Sequence, residues 1–274
     1  MVFSSPIFLF LFLPLALAAY YVVPNSWRNV VLLGASLLFY AWGEKFFVLL
    51  MVAAIGFNFA AGLWIESANI RWRRVLLTGG IAFNLLLLFT FKYVNFAIAN
   101  VNEALGIAAL PTLSAKPVHL PIGISFFTFE AVSYLIDVYR KVTPAARSPI
   151  QFGLFMTLFP HLIAGPVVRY RDLYAALQRR TTSTDQFASG IRRFSIGLAK
   201  KMLLANALGA ASTKLFGVPA DQLAASAAWL GAICYGLHIY FDFSGYSDMA
   251  IGLGRLFGFE LCENFRYPYA AMSV

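Results

Sequence analysis

Long apolar runs separated by short polar stretches recur along most of the chain. They cover residues 7–23, 30–42, 46–65, 75–91, 122–138, 150–168 and 223–243. A membrane-spanning helix needs about 20 apolar residues in succession. The pattern therefore predicts an all-α, polytopic membrane protein. Several runs are short or contain Gly and Pro, which predicts broken or re-entrant helices among the true spans.

The composition agrees with a membrane protein. Of the 274 residues, 60% are hydrophobic and only 12% are charged, and the mean hydropathy is +0.73. These values lie outside the usual range of soluble domains. The two cysteines, Cys234 and Cys262, are too few for a disulfide framework or a Cys-rich zinc site.

The formal net charge of +9 is concentrated in one stretch of the chain. Eleven of the 21 Lys and Arg residues lie between Arg140 and Lys201, where the acids are Asp172 and Asp185. In membrane proteins, Lys and Arg accumulate on the cytoplasmic side. The stretch therefore predicts a cytoplasmic surface beside membrane lipid, with anionic headgroups or an anionic partner as neighbours, and no nucleic acid.

The basic residues also predict the orientation of the spans. No basic residue precedes the first apolar run and Arg28 follows it, so we place the N-terminus outside. Basic residues lie on both sides of run 150–168, which is interrupted by Pro160 and by Gly165-Pro166. Because both flanks favour the cytoplasm, we predict that this run is re-entrant and does not cross the membrane.

Residues 186–208 alternate apolar and basic side chains at helical spacing. The apolar residues are Phe187, Ile191, Phe194 and Leu198, and the basic residues are Arg192, Arg193, Lys200 and Lys201. This pattern predicts an amphipathic helix along the inner interface, with its basic face solvated beside headgroups or binding an anionic substrate. Residues 101–116 are more polar and predict an outer loop. No repeat or linker divides the chain, so we predict one domain, 1–274.

The most unusual polar residues lie in the stretch 237–269, inside otherwise apolar sequence. Ionisable groups at membrane depth normally face a protein interior or a water-filled cavity. His238 and Asp242 are four residues apart and share a face on a helix, with Cys234 one turn earlier. This spacing predicts a His–Asp pair, acting either as a general base or as a buried structural pair. No second cluster supplies further metal ligands, so we predict no metal site.

Residues 241–248 contain two carboxylates, two hydroxyls and a phenol. Ser244 and the glycine after it predict an interruption of the helix, which would build a polar site at the membrane midplane. His161, between two helix-breaking sequences, is equally unsuited to face lipid. Glu130 and Asp137 are seven residues apart, so one helix face presents both to the same interior. Asp137 also lies at a helix end near Arg140, which favours a topological anchor over a lining role for it.

Four segments resemble the membrane-bound O-acyltransferase family. They are residues 120–140 (LPIGISFFTFEAVSYLIDVYR), 158–170 (LFPHLIAGPVVRY), 197–209 (GLAKKMLLANALG) and 238–269 (HIYFDFSGYSDMAIGLGRLFGFELCENFRYPY). They occur in order, and the likeness covers nearly the whole chain. Within the family they most resemble the bacterial alginate O-acetylation branch.

The resemblance implies a ring of helices around a thin waist in the bacterial inner membrane, with the N-terminus in the periplasm. An acyl group, acetyl in the alginate-type branch, would pass from a cytoplasmic thioester donor to hydroxyls of an exported polysaccharide such as alginate. The implied donor is acetyl-CoA or an acyl-carrier thioester, and no cofactor stays bound. The implied partners are periplasmic polysaccharide acetylation proteins and an acyl-carrier protein.

The resemblance also implies where the catalytic residues lie. Family members continue past the last motif into a Trp-His segment and a second, catalytic histidine, so we expect this chain to be an N-terminal portion that is inactive alone. None of His119, His161 and His238 matches that histidine, so we predict no catalytic residue here. The residues expected to line or support the substrate path are His161, Arg169, His238, Asp242, Ser244, Tyr246 and Asp248. Asp242→Ala in a full-length protein should then abolish acetyl transfer.

Two other functions remain open from the sequence. Broken helices and intramembrane carboxylates also occur in secondary transporters, but the matched interrupted helices of inverted repeats are not seen here. A sister branch transfers D-alanine to cell-wall polymers; composition cannot separate acetyl from D-alanyl donors, and only the likeness of the motifs favours acetyl. The sequence has no P-loop and no G-x-S-x-G elbow, which disfavours nucleotide hydrolysis and serine-hydrolase chemistry.

Overall fold

A computed structural model describes residues 2–108, 110–114, 116–162, 165–166, 168–219 and 221–265. Every regular element in these ranges is helical, which confirms the all-α prediction. The α-helices are α1 (Leu13–Val22), α2 (Arg28–Glu44), α3 (Phe47–Ser67), α4 (Ile70–Leu88), α5 (Val94–Ile107), α6 (Ile124–Tyr139), α7 (Pro149–Thr157), α8 (Phe159–Leu162), α9 (Tyr170–Gln178), α10 (Thr184–Ala199), α11 (Asn206–Phe216) and α12 (Ala225–Leu256). Three π-helical turns join neighbouring helices or precede them, at Phe8–Phe12, Phe89–Tyr93 and Lys200–Ala205. The end of the last sequence motif, residues 266–269, lies outside the described ranges.

Two helical stretches of the described chain are long and apolar enough to cross a membrane. They are α3 and the stretch Ile70–Ile107, in which α4, a π-helical turn and α5 form one helix; Phe8–Val22 is a shorter apolar helix. The outer loop predicted at 101–116 is wrong in its first part, because α5 continues to Ile107. The apolar residues of that part, Val101 among them, extend the helix and are largely exposed, as a lipid-facing surface requires.

The chain packs as two compact units. The α12 unit contains Met1–Ala35, Leu158–Val168 and Leu173–Val274, and the α3 unit contains Ser36–Thr157 and Arg169–Asp172. The chain passes between the units several times, so no simple linker separates them. The single domain spanning 1–274 stays a prediction.

The α3 unit is built from α3, α4, α6 and α7. Between α3 and α4, the buried side chains of Asn58 and Asn84 donate to each other at 3.1 and 2.8 Å, which satisfies two amides inside an apolar bundle. Glu130 and Asp137 are both buried on α6, as their spacing predicts. His119 contacts the buried Glu44 carboxylate at 3.0 Å.

The α12 unit is built around the 32-residue helix α12, against which α10, α11 and α8 pack. The interruption predicted at Ser244 is wrong, because α12 runs unbroken through this position. The helix ends at Leu256, and Gly258 then adopts φ +81°, the left-handed conformation that commonly stops a helix. The N–H of Phe259 donates to Gly254 at 2.9 Å and closes that cap.

The predicted break inside run 150–168 is confirmed. Helix α7 ends at Thr157, and the single turn α8 begins at Phe159 with Pro160 in its second position. Proline cannot donate to the preceding turn, so the helix cannot continue through it. The re-entrant course of this segment stays a prediction.

Candidate functional site

Helices α10 and α12 approach each other closely along a seam of four glycines. Gly190 and Gly197 are seven residues apart on α10, and Gly245 and Gly252 are seven apart on α12. A Cβ atom on Gly252 would lie 2.7 Å from the carbonyl oxygen of Gly190, and one on Gly245 would lie 2.8 Å from that of Gly197. Only glycine permits this backbone contact. Gly245 therefore packs two helices together, and its role is not to break α12.

Asp248 is a buried carboxylate beside this seam, with an exposed fraction of 5%. Its Oδ1 accepts from Arg193 Nε at 2.7 Å and its Oδ2 accepts from Lys200 Nζ at 2.6 Å. Arg193 also donates to the more exposed Glu263 at 2.6 Å. A buried carboxylate needs such partners, and this network ties α10 and the turn after it to α12.

Asp242 has a different partner from the one predicted. Its carboxylate pairs with Lys201 Nζ at 2.5 Å, and its side chain is 40% exposed. His238 Nδ1 instead contacts the Ala205 carbonyl oxygen at 2.8 Å. The predicted His238–Asp242 pair is therefore wrong. Both residues bind instead to the turn Lys200–Ala205, which supplies the Ala205 carbonyl to His238 and the Lys201 ammonium to Asp242.

The contact with Ala205 determines the chemistry of the His238 ring. A carbonyl oxygen can only accept, so Nδ1 carries a proton and Nε2 of the neutral ring is an acceptor. The ring lies against Gly209 of α11, where a Cβ atom would be 2.8 Å from Nδ1. Glycine at position 209 therefore permits the ring to reach the Ala205 carbonyl.

The π-helical turn Lys200–Ala205 carries three of these contacts. Lys200 and Lys201 are adjacent in sequence, yet they reach carboxylates six residues apart on α12. The same turn ends at Ala205, the acceptor for His238. Single π turns inside α-helices are frequent at functional sites.

A pocket of about 230 Å³ opens beside α12 on the face that carries Asp242. It is lined by His238, Ile239, Asp242, Phe243 and Tyr246. Three predicted site residues thus share one pocket, with an imidazole, a carboxylate and a phenol set between apolar side chains. A site of this kind suits a substrate that has both polar and apolar parts.

The other predicted site residues lie elsewhere. Ser244 and Asp248 are buried on a different face of α12, and Ser244 Oγ has no hydrogen-bond partner among the described residues. His161 is buried in α8, which packs against α12. Arg169 belongs to the α3 unit and is exposed, with its backbone N–H donating to Asp172 Oδ2 at 3.2 Å.

No group of three His, Cys, Asp or Glu side chains that could hold a metal ion occurs in the described part of the chain. Cys234 is buried one turn before His238, and its thiol is free. The arrangement beside α12 is therefore one of hydrogen bonds and ion pairs.

Residues 125–270, which include this whole site, match the family model of MBOAT, the membrane-bound O-acyltransferase family. The chain belongs to the membrane-bound O-acyltransferase family. The resemblance seen in the four sequence segments is thereby confirmed, and the chain is that of a membrane protein.

Named relatives of this O-acyltransferase-family chain have different acceptors. It is 46% identical, over its whole length, to a probable alginate O-acetylase of Azotobacter vinelandii and covers 55% of that protein. It is 32% identical, again over its whole length, to a peptidoglycan O-acetyltransferase of Helicobacter pylori and covers 57% of it. Over 74% of its length it is 23% identical to a teichoic acid D-alanyltransferase of Bacillus subtilis, of which it covers 54%. The chain thus spans about half the length of these relatives.

The sequence did not predict the ion pairs that join the basic residues of α10 and of the following turn to the acids of α12 and beyond. Arg193, Lys200 and Lys201 were predicted to be solvated beside headgroups or to bind an anionic substrate, but each of them pairs with an acid of α12 or beyond it. Arg192 alone among the four predicted basic residues is exposed and without such a pair in the described ranges. The matched seven-residue glycine spacings of α10 and α12 were the signal that these helices pack together.

Proposed function

We propose that this protein is a membrane-bound O-acetyltransferase. It transfers acetyl groups from a cytoplasmic thioester, acetyl-CoA or an acyl-carrier thioester, to hydroxyls of an exported polysaccharide such as alginate. The observation that carries the proposal is 46% identity, over the entire chain, to a probable alginate O-acetylase. Identity to the D-alanyltransferase is half as high and covers less of the chain, which favours acetyl over D-alanyl as the group transferred.

The reaction defines what the site must supply. A hydroxyl oxygen attacks the thioester carbonyl carbon, the C–O bond forms, the C–S bond breaks, and the hydroxyl proton finally resides on the thiol. A general base and a donor to the carbonyl oxygen accelerate this step. We assign no histidine of this chain to the base, because none matches the catalytic histidine implied by the family resemblance.

We assign the α12 pocket to the substrate path. Asp242 and His238 Nε2 present acceptors for substrate hydroxyl groups, and Tyr246 lines the same pocket. Asp248, Arg193 and Lys200 support the path by fixing α10 against α12. His161, Arg169 and Ser244 remain proposed supporting residues.

We propose a bacterial inner-membrane location, because the named relatives are bacterial, and a periplasmic N-terminus, because of the distribution of basic residues. The first described apolar helix, Phe8–Val22, has no basic residue before it and Arg28 after it, as expected for a start on the periplasmic side. We propose periplasmic polysaccharide acetylation proteins as partners and, on the cytoplasmic side, an acyl-carrier protein.

The experiment measures acetyl transfer in membranes that contain the full-length gene product. Labelled acetyl-CoA is supplied, and ester-linked label on extracted polysaccharide is measured with and without mild alkali. We expect alkali-labile acetyl esters. D-alanyl esters in their place would support the sister activity, and solute flux without ester formation would support a transporter.

A pair of substitutions separates the role of Asp242 on the substrate path from its ion pair. Asp242→Asn removes the carboxylate from the pocket, whereas Lys201→Gln breaks the same ion pair without altering a pocket-lining residue. We expect Asp242→Asn to lower transfer by more than about ten-fold, the effect of roughly one charge-assisted hydrogen bond, and Lys201→Gln to lower it by far less. Equal losses would show that Asp242 acts only through the ion pair.

A further inference from the structure

Two guanidinium groups lie against one tyrosine in the α12 unit, away from the α12 pocket residues. Arg28 Cζ is 5.0 Å from the centre of the Tyr20 ring, and Arg180 Cζ is 5.5 Å from it. Arg28 also lies over the ring of Tyr21, at 5.6 Å. Both guanidinium groups therefore contact the same ring, near the end of α1 and the start of α2.

Arg180 makes hydrogen bonds through its Nε and Nη1 nitrogens, whereas its Nη2 makes none with the described residues. Its Nε lies 3.0 Å from both the Tyr20 hydroxyl and the Phe257 carbonyl, and its Nη1 donates to Asn29 Oδ1 at 2.6 Å and to the Ala176 carbonyl at 3.2 Å. These neutral partners satisfy Nε and Nη1. Nη2 is buried and has no hydrogen-bond partner in the described part of the chain.

Neither guanidinium has a carboxylate partner among the residues that the structure describes. Arg28 Nε is also buried without a hydrogen-bond partner there. Among the other described residues of the same unit, the half-buried bases are all paired with acids, namely Arg193, Lys200, Lys201 and Arg255. Burial lowers the pKa of Arg180, and the nearby positive charge of Arg28 lowers it further. Both charges lie over aromatic rings, with Arg180 Cζ also 4.3 Å from the centre of the Phe259 ring, but neither has an acid to pair with in the described ranges.

A pocket of about 330 Å³ lies next to Tyr21 and Thr182, each of which is near one of the arginines, although neither arginine is in its lining. Its lining consists of Tyr21, Thr182, Ser183, Thr184 and Phe187. Tyr21 links the pocket to Arg28, since its ring lies beneath the Arg28 guanidinium. The 16-residue helix α10 begins here, with Ser183 as its N-cap, so hydroxyls and the positive end of a helix dipole face the same space.

We propose that Arg28 and Arg180 form an anion site that binds a phosphate group. Forked guanidinium donors match phosphate oxygens, and hydroxyls with a helix start complete the donor set that such a group prefers. The arginines lie next to tyrosines at the ends of apolar helices, where aromatic and basic side chains meet a membrane surface. The phosphate belongs either to an anionic phospholipid headgroup or to a soluble phosphorylated molecule. This site is separate from the proposed acetyl transfer and does not depend on it.

The experiment measures binding to the purified, detergent-solubilised protein. In the lipid arm, bound phosphatidylglycerol is counted by native mass spectrometry, with phosphatidylcholine of the same acyl chains as the reference. In the soluble arm, inorganic pyrophosphate is titrated by calorimetry at low and at high salt. The test variant is Arg28→Gln, and the matched control is Lys214→Gln, which removes one positive charge at an exposed position of the same unit.

We expect wild type and Lys214→Gln to bind alike in at least one arm, and Arg28→Gln to bind about ten-fold more weakly, as the loss of one charge-assisted contact predicts. Binding of phosphatidylglycerol alone identifies a lipid site, and binding of pyrophosphate alone identifies a soluble ligand. If Arg28→Gln does not fold, Arg28→Lys keeps the charge but loses the fork, and we expect it to bind several-fold more weakly. Binding that is unchanged in the folded Arg28 variant, or absent from wild type in both arms, would overturn the proposal.

Discussion

The ion network of Asp248 should be a larger source of stability than the neighbouring pair of Asp242. Asp248 is 5% exposed and has two cationic partners at 2.7 and 2.6 Å. Asp248→Asn keeps the shape of the side chain but removes the charge that both cations face. The change therefore isolates electrostatics from packing.

The magnitude follows from the burial of each partner. Removing one member of a fully buried ion pair costs roughly 3–5 kcal/mol. The side chains of Arg193 and Lys200 are each 30% exposed, so water screens them in part, and the asparagine oxygen still accepts one hydrogen bond. We therefore expect a loss of about 2 kcal/mol, or about 4–8 °C in the unfolding temperature at 2–4 °C per kcal/mol.

Asp242→Asn is the matched control. It is the same substitution on the same helix, but its side chain is 40% exposed and has one partner, Lys201. Exposed ion pairs contribute about 0–1 kcal/mol, so its unfolding temperature should fall by less than about 4 °C.

Both variants are purified in the same detergent, and their unfolding is followed by intrinsic tryptophan fluorescence at one heating rate. A fall in the Asp242→Asn variant as large as that in Asp248→Asn would refute the reasoning from burial. An Asp248→Asn variant as stable as wild type would show that the network contributes no net stability, because the desolvation of its charges cancels their attraction.

Two further predictions concern helix packing. Gly252→Ala should lower the unfolding temperature by several degrees, because the new Cβ meets α10 backbone atoms at 2.6 and 2.7 Å, whereas Gly236→Ala on the same helix enters open space and should be neutral or slightly stabilising. Similar thermal scans of the two variants would contradict the close seam. Asn58→Leu should destabilise by about 1–3 kcal/mol because it leaves the Asn84 amide buried without its partner, and the double variant with Asn84→Leu should recover part of that loss; a fully additive double variant would argue against the pair.

Several conclusions followed from sequence alone. Apolar runs near 20 residues long predicted an all-α membrane protein because lipid allows a spanning chain few alternatives to the helix. Pro160 predicted the break between α7 and α8 because its ring cannot continue a helix. The four sequence segments led to the O-acyltransferase family, and helical spacing placed His238 and Asp242 on one helix face. Tyr246 joined them only because α12 runs unbroken through Ser244, where the sequence had predicted an interruption.

Only the tertiary structure decided which partner each polar side chain has. Spacing along α12 suggested that His238 would bind Asp242, but the ring contacts Ala205 and the carboxylate contacts Lys201. Helical periodicity determines which residues share a face, whereas partners on another helix depend on how closely and in which register the two helices pack. For α10 and α12 that register is set by backbone contact between glycines. Arg28 and Arg180 are brought to the same place by contacts between chain segments about 150 residues apart, such as the hydrogen bond from Arg180 to Asn29. The seven-residue glycine spacings show which faces of α10 and α12 can pack closely, but no local pattern shows which polar side chains then meet, so these partners appear only when the helices are placed in space.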